Sequence, residues 1–251
     1  MSLLTLAKNT VTSALKLLHE LDVAGTKKYK FSNEIPREIK ADADLIIEQF
    51  LIKELSKSDI NILSEESGYI NNQAQSETNL KFIIDPIDGT VNFVRNLGSC
   101  SISIALFDGD KPIFGVLGSY PGGSIAWGGK DIGAFEGYKP LKVSTIDDAS
   151  KGILCTGFPS RFAFNSKSKL EQMTLMQNFG KVRMLGSASQ SLLKVAQGSA
   201  EAYVENDIMI WDVAAGVAIV EGAGGKVDLT QKAEKGLLAV KVTNNIIKEW
   251  D

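Results

Sequence analysis

A chain of 251 residues, 44% hydrophobic and 23% charged, is long enough to bury a substantial core in one large domain or two modest ones. Its formal net charge of -3 excludes a broad basic face for nucleic acid or an anionic membrane. No run approaches the roughly 20 apolar residues that cross a bilayer.

Apolar positions recur at helical spacing from Leu3 to about Ala24, through Leu6, Ala7, Val11, Ala14, Leu15 and Leu18. This stretch lacks the basic leader of a signal peptide, and Lys8 and Asn9 interrupt its apolar run early, so a cytoplasmic location is expected. The polar segment TKKYKFSNEIPRE predicts a loop or hairpin, and Asp42 starts a second helix reaching Leu55. INILSEES predicts a short strand ending in acid, NNQAQSETN a polar loop, and KFIID a strand that stops at Pro86, which has no N–H for the ladder.

The segments SCSISIALFDGD and KPIFGVLGSY predict a hairpin across an Asp-Gly turn, and GSIAWGG and GAFEG two short strands. From about Pro140 an α/β rhythm sets in. Strands KGILCTG, KVRML and AEAYV alternate with helices SKLEQMTLMQNF, ASQSLLKVAQG and WDVAAGVAIVEGAGG. Two units are expected, residues 1–140 and 141–251.

The chain has a single histidine, His19, among the leucines of the first helix, and two cysteines, Cys100 and Cys155. His19 reads as structural or simply a surface residue, and the cysteines as core residues of a reducing compartment. Histidine zinc sites and Ser-His-Asp or Cys-His catalysis are thereby disfavoured, leaving carboxylates as the chemical groups.

Acidic residues cluster at predicted element ends: Glu65 and Glu66, Asp85 and Asp88, and Asp212. Singly, each has an ordinary use as a helix cap or a solvated turn. Together, buried carboxylates without cationic partners repel one another unless a cation neutralises them. Mg²⁺ favours such a set, completing its shell with water and substrate phosphate. The turn at Pro86 can bring Asp85 and Asp88 together and expose the Ile87 carbonyl, Gly89 permits close backbone approach, and a helix opening at Thr90 favours a phosphate.

DPIDGTVNF resembles the DPIDGT signature of the inositol monophosphatase family of metal-dependent, lithium-sensitive phosphatases. SEES at 64–67 and WDVAAGVAIVEGAGG at 211–225 follow the same family order, and the likeness runs from about Leu3 to Val227. It implies a layered αβαβα sandwich and a cytoplasmic homodimer. It implies Mg²⁺, two ions with a possible third, held by Glu65, Asp85, the Ile87 carbonyl, Asp88 and Asp212. It also implies Glu65, Thr90 and Asp44 as the catalytic set. Asp88, Gly89, Thr90, Ser187, Ala188 and Glu205 would contact the substrate, a small phosphorylated molecule rather than a nucleic-acid polymer or membrane.

The implied activity is hydrolysis of a sugar or polyol monophosphate, inositol 1-phosphate foremost. A 3′(2′),5′-bisphosphate nucleotidase or fructose-1,6-bisphosphatase shares the metal core. A non-catalytic regulator on the same scaffold is the alternative of another class. The chain departs from the family at Lys40-Ala41, where a Val-Thr pair is usual, and a family lysine in the preceding loop has three candidates, Lys27, Lys28 and Lys30.

Overall fold

The computed structural model describes residues 1–33, 35, 37–72, 79–233 and 236–247. Most of the expected NNQAQSETN loop, residues 73–78, lies outside the described residues. The first helix, α1, spans Leu3–Val23 and is capped by Ser2, whose hydroxyl accepts from the Thr5 amide. A hairpin follows, β1 (Tyr29–Phe31) against β2 (Ile39–Ala41), and leads directly into α2 (Asp42–Leu55).

An eight-stranded sheet comes next: β3 (Asn61–Ser64), β4 (Gly68–Ile70), β5 (Leu80–Asp88), β6 (Cys100–Asp108), β7 (Lys111–Tyr120), β8 (Ile125–Gly129), β9 (Gly133–Glu136) and β10 (Lys139–Pro140). Its strand order is β10-β9-β8-β7-β6-β5-β3-β4, antiparallel except for the β3–β5 pair. The short α3 (Thr90–Arg95) interrupts the β5–β6 connection.

A five-stranded sheet takes up the rest, in the order β12-β11-β13-β15-β14, from β11 (Ile153–Thr156), β12 (Lys181–Arg183), β13 (Ala202–Met209), β14 (Lys226–Gln231) and β15 (Leu237–Thr243). Helices α4 (Ser166–Gln177), α5 (Ala188–Ala196) and α6 (Ile210–Gly222) connect these strands.

Three cores stack these elements. α1 and α2 bury Val11, Leu18, Ile47 and Leu51 against one face of the large sheet, with Ile62, Ile84 and Ile104. α5 and α6 fill the space between the sheets, joining Ile83 and Phe107 of the first to Tyr203 and Val240 of the second. On the outer face of the second sheet, α4 leans Leu175 and Met176 on Leu154 and Ala202. The order is helix, sheet, helix, sheet, helix, the layered α/β sandwich that the resemblance implied. Each fully buried Leu, Ile or Val contributes about 1.5–3 kcal/mol.

The middle layer is the tightest. α6 is buried from Val213 to Val220, and a side chain on Gly115 of β7 would stand 2.1 Å from the Ala215 carbonyl oxygen. Helix backbone therefore lies directly on strand backbone, which the small residues of DVAAGVA permit.

Three readings of the sequence change. β5 does not stop at Pro86. It continues to Asp88 past a bulge, with Asp85 opposite Ser103 and Asp88 opposite Ser101. Pro86 falls within the bulge, where ladder pairing is interrupted and no N–H is demanded of it. β14 and β15 form a C-terminal hairpin that the sequence reading left unassigned, and β13 runs past AEAYV to Met209. Cys100 and Cys155 are buried and free, as expected. His19 is exposed, its ring 6.4 Å from that of Tyr120. Among the described residues no helix is long and apolar enough to cross a membrane.

Candidate active site

Side chains alternate faces along a strand, so residues three apart normally point to opposite sides. On β5, four residues from Asp85 to Asp88 face only three on β6, Ser101 to Ser103. The extra residue resets the alternation, and both carboxylates reach the same space. Asp85 Oδ1 accepts from the Ile87 amide at 3.0 Å, closing the turn locally.

Asp212 arrives from the other sheet. β13 runs without a loop into α6, and in the first turn Asp212 Oδ2 accepts from the Met209 amide at 3.0 Å. Asp85, Asp88 and Asp212 each place a carboxylate oxygen within 4.8 Å of the others.

Asp44 has the same local anchor as Asp212. It lies in the first turn of α2, and its Oδ2 accepts from the Ala41 amide at 2.8 Å. Its Oδ1 faces Thr90, whose hydroxyl lies 3.2 Å from it and 3.0 Å from the Ile87 carbonyl oxygen. Gly89, at φ +93°, makes the turn between Asp88 and Thr90. A side chain there would press to 3.1 Å on the Gly186 carbonyl oxygen and Ser187 Cβ.

Asp88 is the best-bonded member. Its Oδ2 accepts from Ser187 Oγ at 2.5 Å, from the Ser189 amide at 2.7 Å and from Ser189 Oγ, and its Oδ1 from the Ala188 amide at 3.3 Å. Ser187 and Ala188 thus hold this carboxylate at the start of α5 as well as lining the cleft above it. That cleft, about 480 Å³, is also bordered by Asp88, Asp212, Glu205, Gly157, Phe158 and Arg37.

Electrostatics follow from this crowding. Burial pushes the carboxyls of Glu65, Asp85 and Asp212 well above the usual range, and their mutual repulsion pushes further. Asp88 is raised by burial too, with its hydrogen bonds pulling the other way. Burial lifts Asp44 to about 7 against the bonds from Ala41 and Thr90. It lifts Glu205 to about 7 against a hydrogen bond from Tyr203, whose hydroxyl donates to Oε2 at 2.9 Å.

Glu65 and Asp44 are close enough for their charges to act on Asp85, and Glu205 borders the same cleft as Asp88 and Asp212. Of the three lysines proposed for the loop, Lys27 is committed elsewhere, 2.6 Å from Asp22 and 2.5 Å from Asn96 Oδ1. Lys30 pairs in register with Lys40 along the hairpin. Arg37 borders the cleft instead, donating at 2.8 Å to both the Ser160 and Phe162 carbonyls.

Some supporting residues escaped the sequence reading. Ser189 is one; the Ser-x-x-Gln pattern at 187–190 marks the helix start but not its carboxylate partner. Asn92 donates to the Ser99 and Leu185 carbonyls at 3.0 and 2.7 Å, tying α3 to the segment before α5. Glu48, 2% exposed, is the third. It accepts from Ser64 Oγ, Ser67 Oγ and the amides of Glu66 and Ser67, folding the SEES turn that presents Glu65. Replacing Glu48 with Ala leaves these donors unpaired, and urea unfolding should show a loss of about 3 kcal/mol. An unchanged midpoint would remove Glu48 from this role.

Residues 2–249 match the inositol monophosphatase family. The chain belongs to the inositol monophosphatase family. It is 31% identical over 205 residues to the inositol-1-monophosphatase of Caulobacter vibrioides, covering 80% of this chain and 79% of that one. It is 33% identical over 190 residues to the Nus factor SuhB of Xylella fastidiosa, covering 74% and 67%. Among solved structures, the extragenic suppressor protein suhB of Bartonella henselae superposes with a TM-score of 0.83 at 25% identity, over 96% of this chain and 93% of that one. The inositol monophosphatase of Anabaena gives 0.77 at 28% identity, over 96% and 89%.

Inositol monophosphatases are metal-dependent, and this chain is a phosphoric monoester hydrolase of that family. The donor set fits a hard divalent cation: it is all oxygen, crowded, and buried enough that its charges need neutralising.

Proposed function

We propose that the protein is a Mg²⁺-dependent phosphatase of small sugar or polyol monophosphates, with inositol 1-phosphate the foremost substrate. One observation carries this reading: three carboxylates from two sheets converge within 4.8 Å of one another, and two of them, Asp88 and Asp212, border a cleft that Glu205 also lines. In the same reading the protein works in the cytoplasm as a homodimer, as the resemblance implies.

Bound Mg²⁺ would neutralise phosphoryl oxygens and lower the pKa of the attacking water. Asp85 would serve two ions, one with Glu65 and the Ile87 carbonyl, the other with Asp88 and Asp212, and Glu65 could join a third. Thr90 and Glu65 orient the water. Its proton would pass through the Thr90 hydroxyl, 3.2 Å from Asp44 Oδ1, to the Asp44 carboxylate. Amides of Gly89 and Thr90 meet the developing charge on the phosphate. A water beside Asp88 protonates the leaving alkoxide. Ser187, Ala188 and Glu205 border the alcohol portion.

Val91-Asn92 stands where bisphosphate nucleotidases commonly carry Lys-Glu, which favours the monophosphate reading over that rival. A purely regulatory role, suggested by the relative named as a Nus factor, would leave the complete carboxylate set without a use.

The test is a substrate panel with Mg²⁺: inositol 1-phosphate, fructose 1,6-bisphosphate, adenosine 3′,5′-bisphosphate and p-nitrophenyl phosphate. Glu205→Gln should lower kcat/KM for the polyol phosphate by about 10- to 150-fold, the worth of a charged hydrogen bond. Hydrolysis of p-nitrophenyl phosphate, which lacks hydroxyls for Glu205, should barely change. Equal losses on both would move Glu205 into the catalytic machinery, and no turnover of any phosphomonoester would overturn the phosphatase reading.

A further inference from the structure

Lys40 places a cation at the edge of the carboxylate cluster. Its ammonium lies 2.7 Å from Glu66 Oε2, and the Glu66 side chain is only 9% exposed. Glu66 directly follows Glu65 in the SEES turn. The next residue after Lys40, Ala41, donates its amide to Asp44. Lys40 therefore sits between α2, which carries Asp44, and the SEES turn, which carries Glu65 and Glu66.

Acidic groups face it from the SEES turn and from its own strand, while Lys30 stands opposite it across the hairpin. Glu66 is its ion-pair partner. Glu38, just before the hairpin strand, is close enough for its charge to act on Lys40, and its Oε2 is buried without a hydrogen-bond partner. Glu65 and Asp44 lie further in, close enough for their charges and that of Lys40 to act on each other. The Glu66 bond, and then the charges of Glu66, Glu38 and Glu65, hold the Lys40 ammonium in its protonated form against partial burial. A positive charge is thus held beside the acids of the SEES turn and α2, while Arg37 borders the cleft.

We propose that Lys40 is a resident counter-cation of the metal site, stabilising the metal-free carboxylates and holding down the affinity for Mg²⁺. The inference rests on the metal reading given above. Its physical content is a sign. In the metal-free protein the cation offsets carboxylate repulsion and stabilises the fold. Once divalent cations enter, the same charge repels them. The enzyme then saturates at a higher Mg²⁺ concentration than the carboxylates alone would set. A residue that merely pinned the hairpin to the SEES turn would have one direction of effect only: its loss would loosen both states and weaken metal binding.

Three variants separate these cases. Lys40→Met removes both charge and hydrogen bond. Lys40→Gln removes the charge but keeps a donor for Glu66, so the hairpin remains tied. Lys40→Arg keeps the charge. Mg²⁺ is titrated calorimetrically into each metal-free protein, and thermal unfolding is followed with and without Mg²⁺. For Lys40→Gln and Lys40→Met, Mg²⁺ should bind about fivefold tighter at low salt, an electrostatic gain limited by the partial exposure of Lys40. The metal-free Tm should fall by about 2–4 °C.

Lys40→Arg should match the wild type in both measurements. The affinity difference should shrink as salt is raised, because exposed charges are screened. Wild-type Mg²⁺ binding with unchanged or weaker binding in the Gln and Met variants overturns the inference alone. No Mg²⁺ binding by the wild type overturns the metal reading and the inference together.

Discussion

Asp85→Asn should abolish turnover while leaving the fold intact. Asp85 is buried, 1% exposed, and its carboxylate faces Asp88, Asp212, Glu65 and Asp44. As the residue common to both proposed ions, it cannot be replaced by an amide without weakening both. If its loss withdraws about 4 kcal/mol of transition-state stabilisation, activity falls about a thousandfold, since each 1.36 kcal/mol is tenfold. The metal-free variant should nevertheless be more stable than the wild type, because a repelling charge has been removed.

The pH dependence gives this a second readout. Asp44 and Glu205 stand at about 7 in the folded protein against ordinary values of 3.8 and 4.5, and Glu65, Asp85 and Asp212 are also raised. A carboxyl with a raised folded pKa binds its proton more tightly in the native state. Its stabilising contribution is full below the unfolded pKa and is lost as pH rises through the folded value. The metal-free wild type should therefore melt lower at pH 8 than at pH 6, and Asp85→Asn should show a shallower decline. Near-normal activity in Asp85→Asn would sink the two-ion reading.

Removing the metal should be equally severe. Stripped with excess chelator, the protein should lose all measurable phosphatase activity, and Mg²⁺ should restore it. Ca²⁺ should enter the same carboxylates without restoring the rate. It is larger and geometrically lax, and does not hold the near-octahedral arrangement that Mg²⁺ imposes. Full activity in chelator would refute the metal requirement. Because the carboxylates repel when empty, Mg²⁺ should also raise the Tm, which can be measured without any substrate.

The acids of this site were legible because their sequence context is abnormal. Asp85 follows KFII, and Asp212 follows IMIW, so each carries charge at the end of an apolar run where packing alone gives no reason for it. The helices α1, α2, α5 and α6 were legible from spacing and small-residue texture. What was not legible depends on contacts distant in the chain. Glu48 looks like any polar position of an amphipathic helix until the SEES turn folds over it. Ser189 holds a carboxylate 101 positions away. β14 alternates in KVDLT, but with only Val227 and Leu229 apolar and neither fully buried the pattern is short and carries little signal without β15 beside it. Proline was read as a strand terminator at 86, a rule that holds for regular ladders but not within a bulge.

That bulge makes the site depend on parity. The side to which a strand residue points is decided by whether its count along the strand is odd or even, and the bulge turns a separation of three into an even one. Substitutions around Pro86 and Ile87 change what fills the kink but leave the count alone. Inserting or deleting one residue between Asp85 and Asp88 changes the count, and sends one carboxylate to the wrong side of the sheet with every amino acid still present. The site is therefore encoded in length as much as in identity, and a metal pair of this kind is transplanted by moving the number of residues together with the acids.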